Sequence, residues 1–380
     1  MEIDDDLLAL LKLALAGGAM AARRDLLDAH GGHAVEAVAA GLRRAGALDD
    51  TQRSRLRSPP PAEWRASLEW LAQPGHHLLG WHHADYPPLL RRCPSPPLAL
   101  FVDGDPALLW RPAVAVVGSR SPTAGGRDNA RGFARALAAA GVAVASGLAA
   151  GVDAAAHEAA LAVDGGITVA VLGTGPDLAY PPGHAGLRER IAARGAGLSE
   201  HPPGTAAKPG HFPSRNRILA GLSLGTLVIE AAERSGALIT ARQAADCGRE
   251  VFAVPGSIHN PLARGCHRLI RDGAALVESA GEILAAIAPL ADELVASLRG
   301  RLVDGADRPH SGAVEGPSGP PAGLDPDYQT LWVALGHDPT GMDELVERTG
   351  LTAAELSSML LVMELDGRVA VEHGRYSRKS

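Results

Sequence analysis

The sequence predicts an α/β protein built on a mostly parallel sheet, flanked by a small helical unit and a helix–hairpin tail. Three observations carry this reading. Short β-branched apolar runs alternate with helical stretches between Arg111 and about Ala288. These runs are apolar throughout, as strands buried on both faces must be. Helical periodicity without strands precedes this region, and two helical stretches, a longer third one and a β-rich end follow it.

The predicted strands are Ala113–Val117, Val142–Ala145, Ile167–Leu172, Thr226–Glu230, Val251–Val254 and Ala275–Val277. The predicted helices are Arg127–Ala140, Ala154–Val163, Gly186–Arg194, Arg215–Gly221, Ala237–Cys247 and Arg264–Asp272. Before them, Leu7 to about Leu48 reads as short helices broken at Gly17-Gly18, Gly31-Gly32 and Gly46. This is either a helix-hairpin-helix (SAM-like) module or a plain packing unit. Arg53 to Pro61 is charged and Pro-rich and reads as a linker. Toward the end, Tyr328–Leu335, Met342–Thr349 and Thr352–Asp366 read as helices, with Gly350 closing the second and Thr352/Glu355 as a capping box on the third. A hairpin from Arg368–Val371 and from Arg375 completes a winged-helix order. The resulting division is a helical domain over 1–60, a sheet domain over 75–290, a flexible linker over 291–325 and a winged helix over 326–380.

Composition narrows the function. Of 380 residues, 46% are hydrophobic and 21% charged, which excludes a wholly disordered chain. Aromatics are 3%, so base-stacking surfaces must be few. The net charge of −7 excludes a chain-wide basic coat. Divided by region, however, residues 1–110 carry −3, residues 111–278 carry +4 and residues 279–380 carry −8. The sheet region alone is positive. Cys93, Cys247 and Cys266 are too few and too scattered for a disulfide framework or a zinc site, which fits a reducing cytoplasm. No signal peptide or membrane span is expected. His76, His77, His82 and His83 match no metal-ligand spacing, so no metal and no cofactor is expected.

In an open parallel sheet, ligands bind beyond the carboxyl ends of the strands. Gly118-Ser119-Arg120 follows the first strand there: a close-approach glycine, a hydroxyl and a cation suited to phosphate. Ser146-Gly147, with Gly151 just before a helix, follows the second. Gly173-Thr174-Gly175 follows the third and is not a full G-x-G-x-x-G, so dinucleotide binding is poorly supported; no P-loop is present. Arg215-Asn216-Arg217 reads as preceding a helix, either as phosphate ligands or as surface salt-bridge formers. Ser235-Gly236 opens the next helix. Glu230 is expected to partner Arg215 or Arg217 rather than to act as a base. His157 is expected to pack locally, and no nucleophile elbow is present. Several anion-suited loops on one edge fit a polyanion better than a single nucleotide.

At these loops the chain resembles the DNA-processing protein A (DprA/Smf) family. The carrying stretches are Val114–Arg120, Ser146–Asp153 with His157, Val169–Gly175 with Tyr180-Pro181, Leu198–Glu200, Phe212–Ser223, Glu230–Thr240 and Gly248–Ser257. The resemblance implies an extended Rossmann-like domain that binds single-stranded DNA, a homodimer, protection of incoming DNA in natural transformation, loading of the RecA recombinase, and no enzymatic activity. It implies DNA contacts from Gly118, Ser119, Arg120, Ser146, Gly147, Gly151, Gly173, Tyr180, Arg215, Asn216, Arg217, Ser235 and Gly236. His267, Leu269 and Ile270 either form part of a dimer or RecA face or are buried against the sheet. Two departures remove DNA contacts common in the family: Ala150 stands where an Arg is frequent, and Pro182-Gly183-His184 follows Tyr180-Pro181. Two other readings compete. One is a nucleoside-monophosphate phosphoribohydrolase, suggested by Gly225-Thr226 and Glu230 but lacking the preceding Pro-Gly-Gly. The other is a winged-helix transcription regulator, whose presumed recognition helix carries Thr352, Glu355, Ser357 and Ser358 but no basic residue before Arg368.

Overall fold

The computed structural model describes residues 4–43 and 48–306 and, beyond them, residues 331–332, 334–335, 340–352, 356, 359–360, 363, 369–372 and 375–378. Two compact units result, residues 1–302 and 303–380.

Five helices open the first unit: α1 (Asp5–Leu15), α2 (Met20–Asp28), α3 (Ala34–Arg43), α4 (Asp50–Arg57) and α5 (Pro61–Leu71). The expected linker at Arg53–Pro61 is therefore helical up to Arg57 and again from Pro61. Its charge misleads because a cap fixes the start of α4. Asp49 accepts from the Gln52 backbone N–H at 2.7 Å, and the Gln52 side chain accepts from the Asp49 N–H at 3.1 Å. The buried Gln52 amide also donates to the Gly17 and Ala19 carbonyls, tying α4 to the α1–α2 turn.

Next come β1 (His76–Gly80), α6 (Pro88–Arg91), β2 (Ala99–Gly104), β3 (Ala113–Val117), α7 (Ala124–Ala139), β4 (Ala143–Ser146), α8 (Val152–Leu161), β5 (Thr168–Leu172), α9 (Ala185–Arg194) and β6 (Ala196–Ser199). The unit continues with α10 (His211–Leu222), β7 (Gly225–Val228), α11 (Ala237–Asp246), β8 (Glu250–Ala253), α12 (Arg264–Arg271), β9 (Ala275–Leu276) and α13 (Ala280–Ala306). The nine strands form one sheet in the order β1-β2-β6-β5-β4-β3-β7-β8-β9. From β6 to β9 all neighbours are parallel; β1–β2 and β2–β6 are antiparallel.

Alternation along β3 shows the two-sided burial. Ala113, Ala115 and Val117 join a core with Ile218, Leu222, Leu238 and Cys266 from α10 to α12. Val114 and Val116 join the opposite core with Phe133, Leu137, Ala156 and Ile287 from α7, α8 and α13. A third core joins the N-terminal helices to the antiparallel strands: Leu11, Leu13 and Trp70 pack with Leu78, Ala99 and Phe101. Packing is thus continuous across the boundary expected near residue 60. The stretch from 291 to 306, expected as linker, is the second half of α13. Leu290, Leu294 and Leu298 recur one turn apart and pack on the sheet, which outweighs the glycines nearby. Of the linker call, residues 307–325 lie outside the described residues.

In the second unit, β10 (Thr340–Gly341) precedes α14 (Met342–Thr349), and β11 (Val369–Glu372) pairs with β12 (Arg375–Arg378). Gly350 caps α14 at φ +70°, as its position after the last periodic residue predicts. Leu331, Leu335, Leu345, Leu356 and Met363 share a small core. Half of the expected helix Tyr328–Leu335, the capping Glu355, and Ser357 and Ser358 lie outside the described residues. No helix among the described residues is long and apolar enough to cross a membrane.

Candidate nucleic-acid interface

The chain crosses from one side of the sheet to the other at β3 and β7, and a cavity of about 690 Å³ opens there beyond the strand ends. Gly118, Ser119 and Arg120 line it from the β3–α7 loop, and Ser235 and Gly236 from the turn that leads into α11. Tyr180 and Phe212 close one side, and Arg215 and Asn216 form part of the floor. Eight of the expected contact residues therefore face one space.

Arg120 is exposed, and its guanidinium carbon lies 5.5 Å from the Phe212 ring centroid. Phe212 in turn meets Tyr180, with centroids 5.2 Å apart and planes inclined at 44°. Tyr180 is 42% exposed. A cation and two aromatic faces thus stand in a row along the wall, an arrangement suited to a phosphate beside a stacked base. Ser119 Oγ accepts from the Ser121 N–H at 3.1 Å, and Ser235 Oγ from the Ala237 N–H at 3.3 Å, so both hydroxyls keep their own proton to donate.

Arg215 and Arg217 part company. Helix α10 begins at His211, ahead of the cluster rather than after it, so residues two apart point about 200° from each other. Arg215 turns inward and is buried. Its Nη1 donates to the Gly147 carbonyl at 2.6 Å and to the Val171 carbonyl, and its Nε to Asn216 Oδ1 at 3.1 Å. Burial pulls its pKa down to about 10, against the opposing pull of Asp153, so it stays charged at neutral pH. It is a hub that pins the loop after β4 to the end of β5. Arg217 faces away from the cavity: its Nη2 pairs with the Glu200 carboxylate at 2.5 Å and its Nη1 with the Ser95 carbonyl.

Four more expected residues lie under the cavity rather than in it. Ser146 Oγ is buried and donates to the Val116 carbonyl at 2.7 Å. The Gly147 N–H is taken by Asp153 Oδ2 at 3.1 Å, and a Cβ at Gly147 would overlap the Arg215 guanidinium. Gly151 holds φ +83° with the Ser119 carbonyl against it. A Cβ at Gly173 would press on the Phe212 ring at 3.0 Å. These glycines let three loops touch, which is why they resemble anion-binding turns in sequence.

Glu230 pairs with neither arginine, contrary to expectation. Its carboxylate accepts from Thr123 N–H at 2.8 Å, Thr123 Oγ1 at 2.6 Å and Asn260 Nδ2 at 3.1 Å. It sits at the start of α7, whose N-cap is Thr123, so a helix dipole rather than a cation holds it. His157 is fully buried and Nδ1 donates to Thr168 Oγ1 at 2.7 Å, because that hydroxyl itself donates to the Val144 carbonyl. Burial, with smaller pushes from Arg215 and His184, lowers its pKa to about 3. Asp153 is pushed above the usual carboxylate range by burial, opposed by Arg215 and two backbone N–H groups. In the departing turn, His184 Nδ1 donates to the Leu148 carbonyl at 2.9 Å, bracing the second loop.

Arg234, Ile239 and Asp153 also line the cavity and were not singled out by sequence. Arg234 carried a signal: it is an exposed cation directly before the Ser235-Gly236 turn. Away from the cavity, Leu269 and Ile270 pack half-buried on the sheet core, and His267 Nε2 lies 2.9 Å from the Gly256 carbonyl.

A sheet wound on both faces, with an open cation- and aromatic-lined cavity at its crossover, defines a Rossmann-like ligand-binding protein. The model of the DNA recombination-mediator protein A family matches residues 77–288, and that of the DprA winged helix domain matches residues 315–375. The chain belongs to this DNA-processing family. Protein Smf of Escherichia coli is 40% identical over 328 residues, covering 86% of this chain and 84% of that one. Protein Smf of Synechocystis is 41% identical over 314 residues, 78% of each chain. Among solved structures, DNA processing protein A from Streptococcus pneumoniae superposes with a TM-score of 0.64 at 36% identity, covering 75% of this chain and 98% of that one. A structure of the Helicobacter pylori protein, described by its single-stranded DNA binding mode, gives 0.51 at 28% identity, covering 56% and 96%.

Proposed function

We propose that the cavity binds single-stranded DNA without reading its sequence, and that the protein protects incoming DNA during natural transformation and passes it to RecA. The observation that carries this reading is the wall of Arg120, Phe212 and Tyr180 facing the turn with Arg234, Ser235 and Gly236. Arg120 and Arg234 grip phosphates; the Ser119 and Ser235 hydroxyls add donors; Tyr180 offers a stacking face. Gly118 lets the first loop approach. Ser146, Gly147, Gly151, Gly173 and Arg215 shape the site from beneath. The Helicobacter pylori relative, which binds single-stranded DNA, supports the same ligand here.

The protein acts by binding, not catalysis, in the cytoplasm, and works as a homodimer. The α12–β9 side suits a second copy, since Leu276 on the edge strand is 47% exposed. The chain divides functionally into the helical segment, the sheet domain and the acidic winged helix, with DNA held by the sheet domain. Fluorescence anisotropy with labelled single- and double-stranded oligonucleotides across a salt series, with and without RecA, tests the reading. Single strands are expected to bind more tightly, with affinity falling as salt rises. Equal affinity for duplex, or no salt dependence, refutes it. Sedimentation as a concentration-independent monomer refutes the dimer.

A further inference from the structure

Two large apolar side chains that line the cavity stay exposed: Tyr180 at 42% and Ile239 at 39%. Tyr180 stands against the Phe212 ring. Ile239 comes from another helix, in the first turn of α11, and a phosphate grip has no use for it. One turn on, the Gln243 side chain donates to the Pro213 carbonyl at 3.4 Å, directly after Phe212. Residues 239 and 243 share a helix face, so this bond ties the face carrying Ile239 to the start of α10. An isoleucine and a phenylalanine from two helices thus line one opening.

The floor beside them carries Asn216, which is half-buried. Arg215 Nε can only donate, so the Asn216 amide turns its oxygen to it, at 3.1 Å. The amide NH2 makes no hydrogen bond among the described residues, so Asn216 offers the cavity a donor. We propose that this corner is a slot for one unpaired base, with Ile239 on one face of the base, Phe212 on the other and Asn216 donating to a ring carbonyl. The inference rests on the single-strand reading above and adds a bias in base composition to it. Thymine, cytosine and guanine carry a carbonyl oxygen; adenine carries none. Asparagine ordinarily pairs with adenine through both ends of its amide. Here the oxygen is held by Arg215, so the adenine amino group meets a second donor. A base inside a duplex has both faces stacked on its neighbours and does not enter. The phosphate grip stays common to every sequence, so the slot ranks strands by composition and reads no order.

The test measures the full chain by fluorescence anisotropy against thymidine, deoxyadenosine and abasic oligomers of equal length. Adenine strands stack on themselves, so the thymidine-to-adenine affinity ratio is compared between variant and wild type. Asn216→Asp keeps an oxygen for Arg215 and removes the donor. Its added charge acts on both strands alike, and the ratio is expected to fall about 2- to 10-fold. Ile239→Ala is expected to weaken thymidine binding by about 4-fold or more, the worth of one buried methylene, and to leave the abasic strand and the salt slope unchanged. An unchanged ratio in Asn216→Asp overturns the proposal, as does an equal loss on the abasic strand in Ile239→Ala. If all three strands bind wild type alike and with strong salt dependence, the slot is refuted and the binding reading stands. If no strand binds, both fall.

Discussion

Removing one cation at a time separates the two roles that arginines play around the cavity. Arg120 is exposed and its guanidinium rests against the Phe212 ring, so Arg120→Ala should leave the fold intact and, on the proposed reading, remove a phosphate contact. A charge-assisted hydrogen bond is worth about 1.5–3 kcal/mol, which is a loss of about 10- to 150-fold in affinity. Each phosphate neutralised on a single strand adds about 0.7 to the slope of log affinity against log salt. Arg120→Ala should therefore flatten that slope by about 0.7. Between about 50 and 200 mM salt, a fourfold change, the defect shrinks by about 2.6-fold. Arg217→Ala should behave oppositely. It breaks a half-buried pair with Glu200 and a bond to the Ser95 carbonyl, costing about 1–3 kcal/mol of stability and leaving the slope unchanged. Anisotropy titrations at several salt concentrations, with urea unfolding alongside, measure both quantities. A slope that flattens for Arg217→Ala and holds for Arg120→Ala refutes the assignment.

Three other outcomes follow from the loops beneath the cavity. Gly147→Ala drives a methyl into the Arg215 guanidinium, and a drop of about 1–3 kcal/mol in urea unfolding should come with weaker DNA binding. Glu230→Gln turns an amide N–H toward Thr123 or Asn260; a loss of about 2 kcal/mol in the same assay is expected, with no release of base from nucleoside monophosphates by either form. His157 has a folded pKa near 3 and an unfolded one near 6.5, so the unfolded chain alone takes up a proton between them. Its contribution to stability is whole above about pH 6.5 and falls by up to about 1.4 kcal/mol per unit as the pH drops toward 3. Comparing unfolding at about pH 7 and about pH 5 should show a shallower decline in His157→Gln; an identical decline removes His157 as the cause.

The parallel part of the sheet was legible because β3, β4, β5 and β7 are apolar and buried; all six predicted strands and helices form, with ends shifted by a few residues, although β8 is buried only in its second half and β9 is exposed. The antiparallel extension was not. Strand β1 starts with two histidines, β2 lies among prolines, and β6 is only four residues, Ala-Gly-Leu-Ser at Ala196–Ser199. None shows a strand pattern alone; each is defined by its partner in the ladder. The cavity followed from the loop positions, but loop composition does not tell a glycine that admits an anion from one that admits a neighbouring loop. Gly147 and Gly151 are of the second kind. The arginine pair was misread by where α10 begins, since four residues of helix phase decide which side chain faces in.

The core shared by α1, α5, β1 and β2 makes the N-terminal helices a lid on the sheet rather than a bead on a string. Leu78, Leu98 and Phe101 owe their dryness to Leu11, Leu13 and Trp70. A shortened chain begun after α5 would carry that apolar face uncovered beside β1, the sheet's outermost strand with one edge unpaired. Such a fragment would keep every residue of the cavity and still be prone to self-association. Stability at the cavity is thus partly set by helices that never approach it, and melting of this unit should proceed as one cooperative event from α1 to α12.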